Sequence, residues 1–206
     1  YSIIGLPCET IIRVTGQQIV TSHRGKVIDQ AISDDPLSWI ENYKNQYKVP
    51  IISNLPRFNG GLVGYFGYDT VRYIEPRLGD SPNPDPLECP DILLMVSNDL
   101  IVFDNLSGRL FLIVHADPEK PNAYDIAQQN LDDLTNRLRT ATPNKQTSHI
   151  SKTVNEEDFV SGFTHDGFIK AVEKAKQYIT EGDIMQVVLS QRLSVPFSAK
   201  AVDLYR

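Results

Sequence analysis

The stretch ILLMVSNDLIVFDNLSGRLFLIVH, residues 92–115, decides the fold of this chain. It contains three short apolar runs, at residues 92–97, 100–104 and 109–115. The last two runs are separated by Asn105-Leu106-Ser107-Gly108, a composition typical of a hairpin turn. Three short runs joined by tight turns predict neighbouring antiparallel strands that extend one sheet.

The sequence before this stretch continues the same pattern. Residues 2–6 and 10–15 are rich in β-forming residues, and Gly16-Gln17 separates the second run from residues 18–21. Residues 60–66 are typical of a buried strand. The sequence therefore predicts an α+β protein with largely antiparallel β-sheets, which form a sandwich-like core flanked by helices.

Three segments carry apolar residues at the spacing of one helix face. These positions are Leu37, Ile40 and Tyr43; Tyr124, Ala127, Leu131, Leu134 and Leu138; and Phe168, Val172, Ala175 and Ile179. The first helix is expected to begin at Pro36 and to end near Lys48. The third is expected to end at Gly182, because glycine readily adopts the left-handed conformation that terminates helices.

Residues 141–153 lose all periodicity and collect polar residues and proline, which is typical of a linker. We therefore predict a first domain over residues 1–141, a linker over 142–160, and the opening part of a second α+β domain over 161–206.

Composition excludes several classes of protein. The net charge of -6 argues against nucleic-acid binding, which usually requires a basic face. The longest apolar runs are far shorter than the roughly 20 residues of a membrane-spanning helix. Cys8 and Cys89 lie far apart, so neither a disulfide framework nor a zinc site is indicated, and a cytoplasmic location fits best. The four histidines are equally scattered and form no metal or nucleophile motif.

Residues 184–195 predict a strand with polar side chains on one face. Gln186, Ser190, Arg192 and Ser194 share that face, and alternate residues on one face lie roughly 7 Å apart. Such a face could line a small-molecule cavity, with Arg192 suited to a carboxylate. From these residues alone, however, a solvated sheet face and an exposed surface arginine are the more common arrangements.

Two clusters in the first half favour structural interpretations. Gly60, Gly61, Gly64 and Gly67 match no phosphate-binding motif, and close backbone packing explains them better. Asp69, Arg72 and Glu75 are spaced as surface salt bridges on a helical turn.

Three stretches together resemble a known family. They are Tyr1-Ser2-Ile3-Ile4-Gly5, the glycine-rich segment over residues 60–69, and Gly182-Asp183-Ile184-Met185-Gln186-Val187-Val188-Leu189-Ser190-Gln191-Arg192. In this order they resemble the large subunit (component I) of anthranilate synthase, one of the chorismate-utilising enzymes.

The resemblance implies that residues 1–141 are the amino-terminal domain and that residues 161–206 are the truncated start of the chorismate-binding domain. The intact subunit is a lyase that converts chorismate and ammonia to anthranilate and pyruvate in tryptophan biosynthesis. It uses Mg²⁺, a glutamine amidotransferase partner that supplies the ammonia, and tryptophan as a feedback inhibitor. The Mg²⁺ ligands, the catalytic histidine and both halves of the tryptophan site are expected outside residues 1–206, so we expect the isolated chain to be inactive.

The resemblance also implies a specific role for Gln186. Isochorismate synthases of the same superfamily carry a lysine at the similar position, where it activates water. A glutamine amide cannot deprotonate water, so we expect Gln186 to position a neutral nucleophile. Ser190 and Arg192 are the candidate substrate-binding residues of the same segment.

Two alternatives remain open. The first is aminodeoxychorismate synthase component I, a relative in the folate pathway that differs at a lysine expected beyond Arg206. The second is a regulatory module that binds an amino acid on its sheet and performs no chemistry.

Overall fold

The computed structural model describes residues 1–81, 84–141 and 154–205, in two compact units, Tyr1–Thr142 and Pro143–Arg206. Most of the predicted linker falls on residues 142–153, which lie outside the described ranges. Its last residues carry short elements: a 3-10 helix over Glu156–Asp158 and the start of a strand at Val160.

The first unit contains two antiparallel sheets. Its strands are β1 (Ser2–Gly5), β2 (Thr10–Thr15), β3 (Gln18–His23), β4 (Lys26–Ile32), β5 (Gly61–Phe66), β6 (Ile92–Ser97), β7 (Asp99–Asp104) and β8 (Arg109–Val114). The larger sheet has the order β4-β3-β2-β6-β5, and the smaller has the order β1-β7-β8. Every strand pair is antiparallel, which confirms the α+β class predicted from the sequence.

The stretch at residues 92–115 contributes to both sheets instead of extending one. β6 pairs with β2 and β5, whereas β7 pairs with β1 and β8. Only Asn98 separates β6 from β7, so the chain passes from one sheet to the other within one residue. The expectation of a single sheet was wrong. The backbone N–H and C=O groups of β7 form hydrogen bonds with β1 and β8, so β7 does not need β6 as a neighbour.

One face of the larger sheet is covered by α1 (Pro36–Asn45). The fully buried side chains of Ile12, Val14 and Ile92 form its centre, and Ile40 and Trp39 of α1 pack against them. Asp35 caps the helix by accepting a hydrogen bond from the Ser38 amide, 3.0 Å away. This confirms the predicted start of the helix, which ends three residues before the expected Lys48.

The smaller sheet has its own apolar cluster, formed by Leu100, Val102 and Ile113 with Phe58 and Phe111 packed against it. Helix α2 (Ala123–Thr140) lies against β8, with Leu134 as its most buried residue. The spacing of the apolar residues from Tyr124 to Leu138 therefore predicted this helix correctly.

The two edge strands of the larger sheet differ most from expectation. β5 was predicted to be buried, but Tyr65 and Phe66 are 40% and 54% exposed, because β5 has a neighbour on one side only. β4, at the opposite edge, was not predicted at all. Nearly all of its side chains are exposed, so it carries no clear apolar alternation to reveal it.

A single residue, Asp91, joins three parts of this unit. Asp91, just before β6, accepts hydrogen bonds at Oδ2 from the Gly16 amide (2.7 Å) and from the Tyr73 hydroxyl (2.9 Å). Its carbonyl oxygen accepts a third from the Gly67 amide at 2.7 Å. Burial, together with the Asp91 carboxylate, raises the pKa of Tyr73. The β2–β3 turn and the 3-10 helix Tyr68–Tyr73 are thereby fixed to the start of β6.

The second unit contains β9 (Val160–Ser161), α3 (His165–Glu181), β10 (Leu193–Ser194) and α4 (Ala201–Tyr205). The strand predicted over residues 184–195 was largely wrong, since only Leu193–Ser194 pairs with another strand. A strand needs a neighbour for its backbone groups. Within the described part of this unit, the short β9 is the only strand beside it.

Candidate functional site

Helix α3 is capped at both ends, and the segment that carries the candidate site residues begins directly after its carboxyl-terminal cap. At its start, Thr164 accepts a hydrogen bond from the Gly167 amide at 3.1 Å. At its end, Gly182 adopts a left-handed conformation with φ 84°. The amides of Gly182 and Asp183 donate to the carbonyls of Ile179 and Tyr178, at 3.2 and 2.9 Å. This is the glycine-terminated end that the sequence predicted, and it turns the chain sharply away from the helix axis.

Residues 183–192 then return along α3. The Arg192 carbonyl accepts a hydrogen bond from the Gly162 amide at 2.9 Å, and Gly162 lies two residues before the Thr164 cap. The ten residues therefore run from the carboxyl end of α3 back towards its amino end. Together, α3 and the returning segment form an open groove of about 380 Å³. It is lined by Phe168, Val172, Ala175, Lys176, Ile179, Val187, Val188 and Leu189.

The three candidate residues all lie on this returning segment and are exposed. Gln186, Ser190 and Arg192 make no side-chain hydrogen bond or ion pair to any other residue in the described ranges. The segment thus offers a free amide, a free hydroxyl and a free guanidinium. These groups can bind and orient a polar or anionic ligand. A glutamine, a serine without a base and an arginine do not provide general acid-base catalysis at neutral pH.

The residues present do not fit a magnesium site. Magnesium prefers carboxylate oxygens in octahedral geometry. Over residues 1–81, 84–141 and 154–205, no three His, Cys, Asp or Glu side chains lie together in a way that could hold a metal ion.

The glycine-rich segment of the first unit has the structural role that its sequence indicated. A Cβ on Gly64 would lie 1.8 Å from the Leu93 carbonyl oxygen, and one on Gly67 would lie 3.0 Å from that of Asp91. Gly60 has φ 147°, which side-chain-bearing residues rarely adopt. These glycines allow close approach of the backbone to β6, and they form no phosphate-binding loop.

The charged cluster that follows is mainly structural. Arg72 forms a salt bridge with Asp69 at 2.9 Å and donates to the carbonyls of Leu78 and Gly79 at 3.0 and 2.8 Å. Glu75 pairs with Arg77 instead of Arg72. Arg72 therefore holds together the turns that follow β5, as the salt-bridge interpretation expected for Asp69 and Arg72.

The described histidines likewise have local partners: His23 with Thr10, His115 with the Asn98 carbonyl, and His165 with Asp166. His149 lies outside the described residues. Both cysteines are free, and no helix in the described ranges is long and apolar enough to cross a membrane.

Sequence reasoning missed one contact beside the candidate residues. The Ser161 hydroxyl donates to Oε1 of Gln191 at 3.2 Å, next to the β9–β10 pairing. The two residues lie 30 positions apart. The only signal in the sequence was the short β-forming run at residues 159–161, of which residues 159 and 160 were assigned to the linker.

Comparison with known proteins agrees with the motif resemblance. A family model for chorismate binding enzyme matches residues 6–206. Anthranilate synthase component 1 from Pseudomonas aeruginosa is 50% identical over 100% of this chain and 42% of its own length. The protein of the same name from Aquifex aeolicus is 36% identical over 89% of this chain and 37% of its own length.

Among solved structures, anthranilate synthase component I from Streptococcus pneumoniae superposes with a TM-score of 0.78 at 28% identity. The match covers 99% of this chain and 43% of that protein. The chain therefore spans about two fifths of the length of these relatives.

Proposed function

The chain belongs to the chorismate-binding enzymes, and from that premise we propose that it is part of the large subunit (component I) of an anthranilate synthase. The observation that carries this proposal is the 50% identity to a protein of that name across the whole chain. The glutamine at position 186 supports it further, because an amide suits the handling of a neutral nucleophile.

The proposed reaction is that of a lyase in tryptophan biosynthesis. Chorismate and ammonia give anthranilate, pyruvate and water, with the ammonia released from glutamine by an amidotransferase partner. The carbon–nitrogen bond forms as the ring hydroxyl leaves as water, and loss of the enolpyruvyl group as pyruvate restores aromaticity.

Three residues of this chain act in the proposed site. The Gln186 amide oxygen accepts a hydrogen bond from ammonia and directs the nitrogen lone pair towards the ring. Ser190 and Arg192 contact the oxygens of the substrate, and the guanidinium of Arg192 is suited to one of its carboxylates. All three groups are exposed and unpaired in the described part of the chain, so they are free to take these contacts.

Magnesium, tryptophan and the amidotransferase belong to the proposal for the complete protein. A bound magnesium ion would screen the carboxylate charge of the substrate. Its ligands are proposed to lie in the remainder of the subunit, since the described residues do not provide them. The proposal also includes feedback inhibition by tryptophan and action in the cytoplasm.

A product assay tests the proposal. The complete subunit, given chorismate, ammonium and Mg²⁺, is expected to form anthranilate, detected by its fluorescence and by mass. The 206-residue chain alone is expected to form none, because three exposed polar side chains do not make up a whole site.

Two other outcomes would favour the alternatives. Accumulation of aminodeoxychorismate by the complete subunit would assign the chain to the folate-pathway relative. Tight binding of tryptophan by the 206-residue chain in calorimetry, with no chorismate turnover by the complete protein, would favour a regulatory module.

A further inference from the structure

We propose that Ser161 and Gln191 are positioning residues that hold the returning segment, residues 183–192, stretched along α3. Their contact thereby sets how Gln186, Ser190 and Arg192 are presented to a ligand. Attachment of the segment along α3 is the mechanical role of the two residues, and it does not depend on the proposed function. The effect of this attachment on catalysis rests on the proposed function.

Two hydrogen bonds join residues 161–162 to the end of the returning segment, a strand pairing joins Ser161 to the next residue, Leu193, and a further hydrogen bond lies within residues 161–163. The Ser161 hydroxyl donates to Gln191 Oε1 at 3.2 Å and accepts from the Phe163 amide at 3.1 Å. The Gly162 amide donates to the Arg192 carbonyl at 2.9 Å. Ser161 also lies opposite Leu193 in the β9–β10 pairing. The Ser161 side chain of β9 therefore links Gln191, two residues before β10, to Phe163, the residue that precedes the Thr164 cap.

The length of α3 shows why the segment needs this attachment. At 1.5 Å per residue, the 17 residues of α3 span about 25 Å. A flexible chain of ten residues has an end-to-end distance of only about 16 to 19 Å, although full extension would reach about 35 Å. Because Gly182 fixes one end of the segment, a second attachment near the start of α3 is required to keep it stretched.

Attachment at Gln191 also controls which way its neighbours point. In a stretched backbone, successive side chains point to opposite sides. When the side chain of Gln191 is directed at Ser161, those of Ser190 and Arg192 are directed away from it. The hydrogen bonding agrees with this alternation, since the Gln191 side chain is bonded to Ser161 while the side chains of Ser190 and Arg192 are unpaired in the described ranges.

Limited digestion of the 206-residue chain with trypsin tests the mechanical role. Trypsin cleaves after Arg192, whose carbonyl is the group held by Gly162. Ser161→Ala and Gln191→Leu each remove the side-chain contact, so we expect cleavage at Arg192 to accelerate about five-fold, with cleavage after the exposed Lys200 as the internal reference.

Ser161→Thr keeps the hydroxyl, so it should cleave at the original rate. Gln177→Leu is the matched control, because it removes side-chain hydrogen bonds on the surface of α3, to Lys174 and Glu181, outside the Ser161–Gln191 contact. If Ser161→Ala and Gln191→Leu cleave no faster than the unsubstituted chain, the mechanical role is overturned.

Kinetics of the complete subunit test the consequence for catalysis. We expect Ser161→Ala and Gln191→Leu to lower kcat for anthranilate formation about five-fold, and Ser161→Thr to restore it. If the unsubstituted subunit forms anthranilate and both variants keep its kcat and KM, the positioning role is overturned. If the unsubstituted subunit forms no anthranilate, the proposed function fails, while the digestion experiment still decides the mechanical role.

Discussion

Replacing Gln186 with lysine in the complete subunit is expected to lower kcat for anthranilate formation about a hundred-fold. An amide oxygen accepts a hydrogen bond from ammonia, whereas a lysine ammonium has three donors and no acceptor. The substituted side chain would also place a positive charge where the account requires a neutral group. Because Gln186 is exposed and unpaired in the described part of the chain, the substitution should leave folding intact.

The control for this experiment is Gln177→Lys, which makes the same chemical change on the exposed surface of α3. Anthranilate and hydroxylated products should be quantified together, with circular dichroism as the check on folding. Appearance of a hydroxylated chorismate product would show that position 186 selects the nucleophile. Unchanged anthranilate formation in Gln186→Lys would remove Gln186 from any such role.

Gly64→Ala is expected to reduce the free energy of unfolding of the first unit by about 3 kcal/mol. The new Cβ would lie 1.8 Å from the Leu93 carbonyl oxygen, far inside contact distance. That oxygen belongs to the backbone of β6, which pairs with β2 as well as β5, so it cannot move aside without disturbing the centre of the sheet.

Urea denaturation followed by tryptophan fluorescence measures this effect. Trp39 is the single tryptophan and packs against the core of the larger sheet, so its emission reports on the first unit. Gly5→Ala in β1 is the matched control, since a Cβ there meets nothing within 4 Å, and its effect should stay within about 0.5 kcal/mol. Equal stability of the two variants would contradict the close approach of β5 to β6.

Elements with strong local signals could be predicted from the sequence. Helix α1 begins with a proline directly after its aspartate cap, α2 carries an uninterrupted apolar stripe, and α3 ends at Gly182. Strands β7 and β8 were equally clear, because a four-residue turn separates two apolar runs. In each case the signal lies within a few residues of the element that it predicts.

Features that depend on distant partners could not be predicted in this way. The chain alone does not reveal that β7 pairs with β1 while β6 pairs with β2, since both strands have similar apolar composition. The exposure of Tyr65 and Phe66 depends on the edge position of β5, which only the strand order discloses.

The candidate site also combines residues that local sequence reveals with a contact that it does not. Gln186, Ser190 and Arg192 could be selected from residue type and spacing. Their attachment through Ser161 could not, because it joins residues 30 positions apart through a pairing of two residues per strand. The strand expected over residues 184–195 was an error of the same kind, since an apolar run shows the tendency to form a strand but not the presence of a neighbour.

A crystal structure of the complete subunit with bound chorismate measures the distance from the Gln186 amide to the substrate ring. We expect the amide to lie about 4 Å from the ring, with room for one ammonia molecule to approach it. A Gln186 amide more than about 10 Å from the ring, beyond the reach of any single intervening molecule, would rule out a role for Gln186 in positioning the nucleophile.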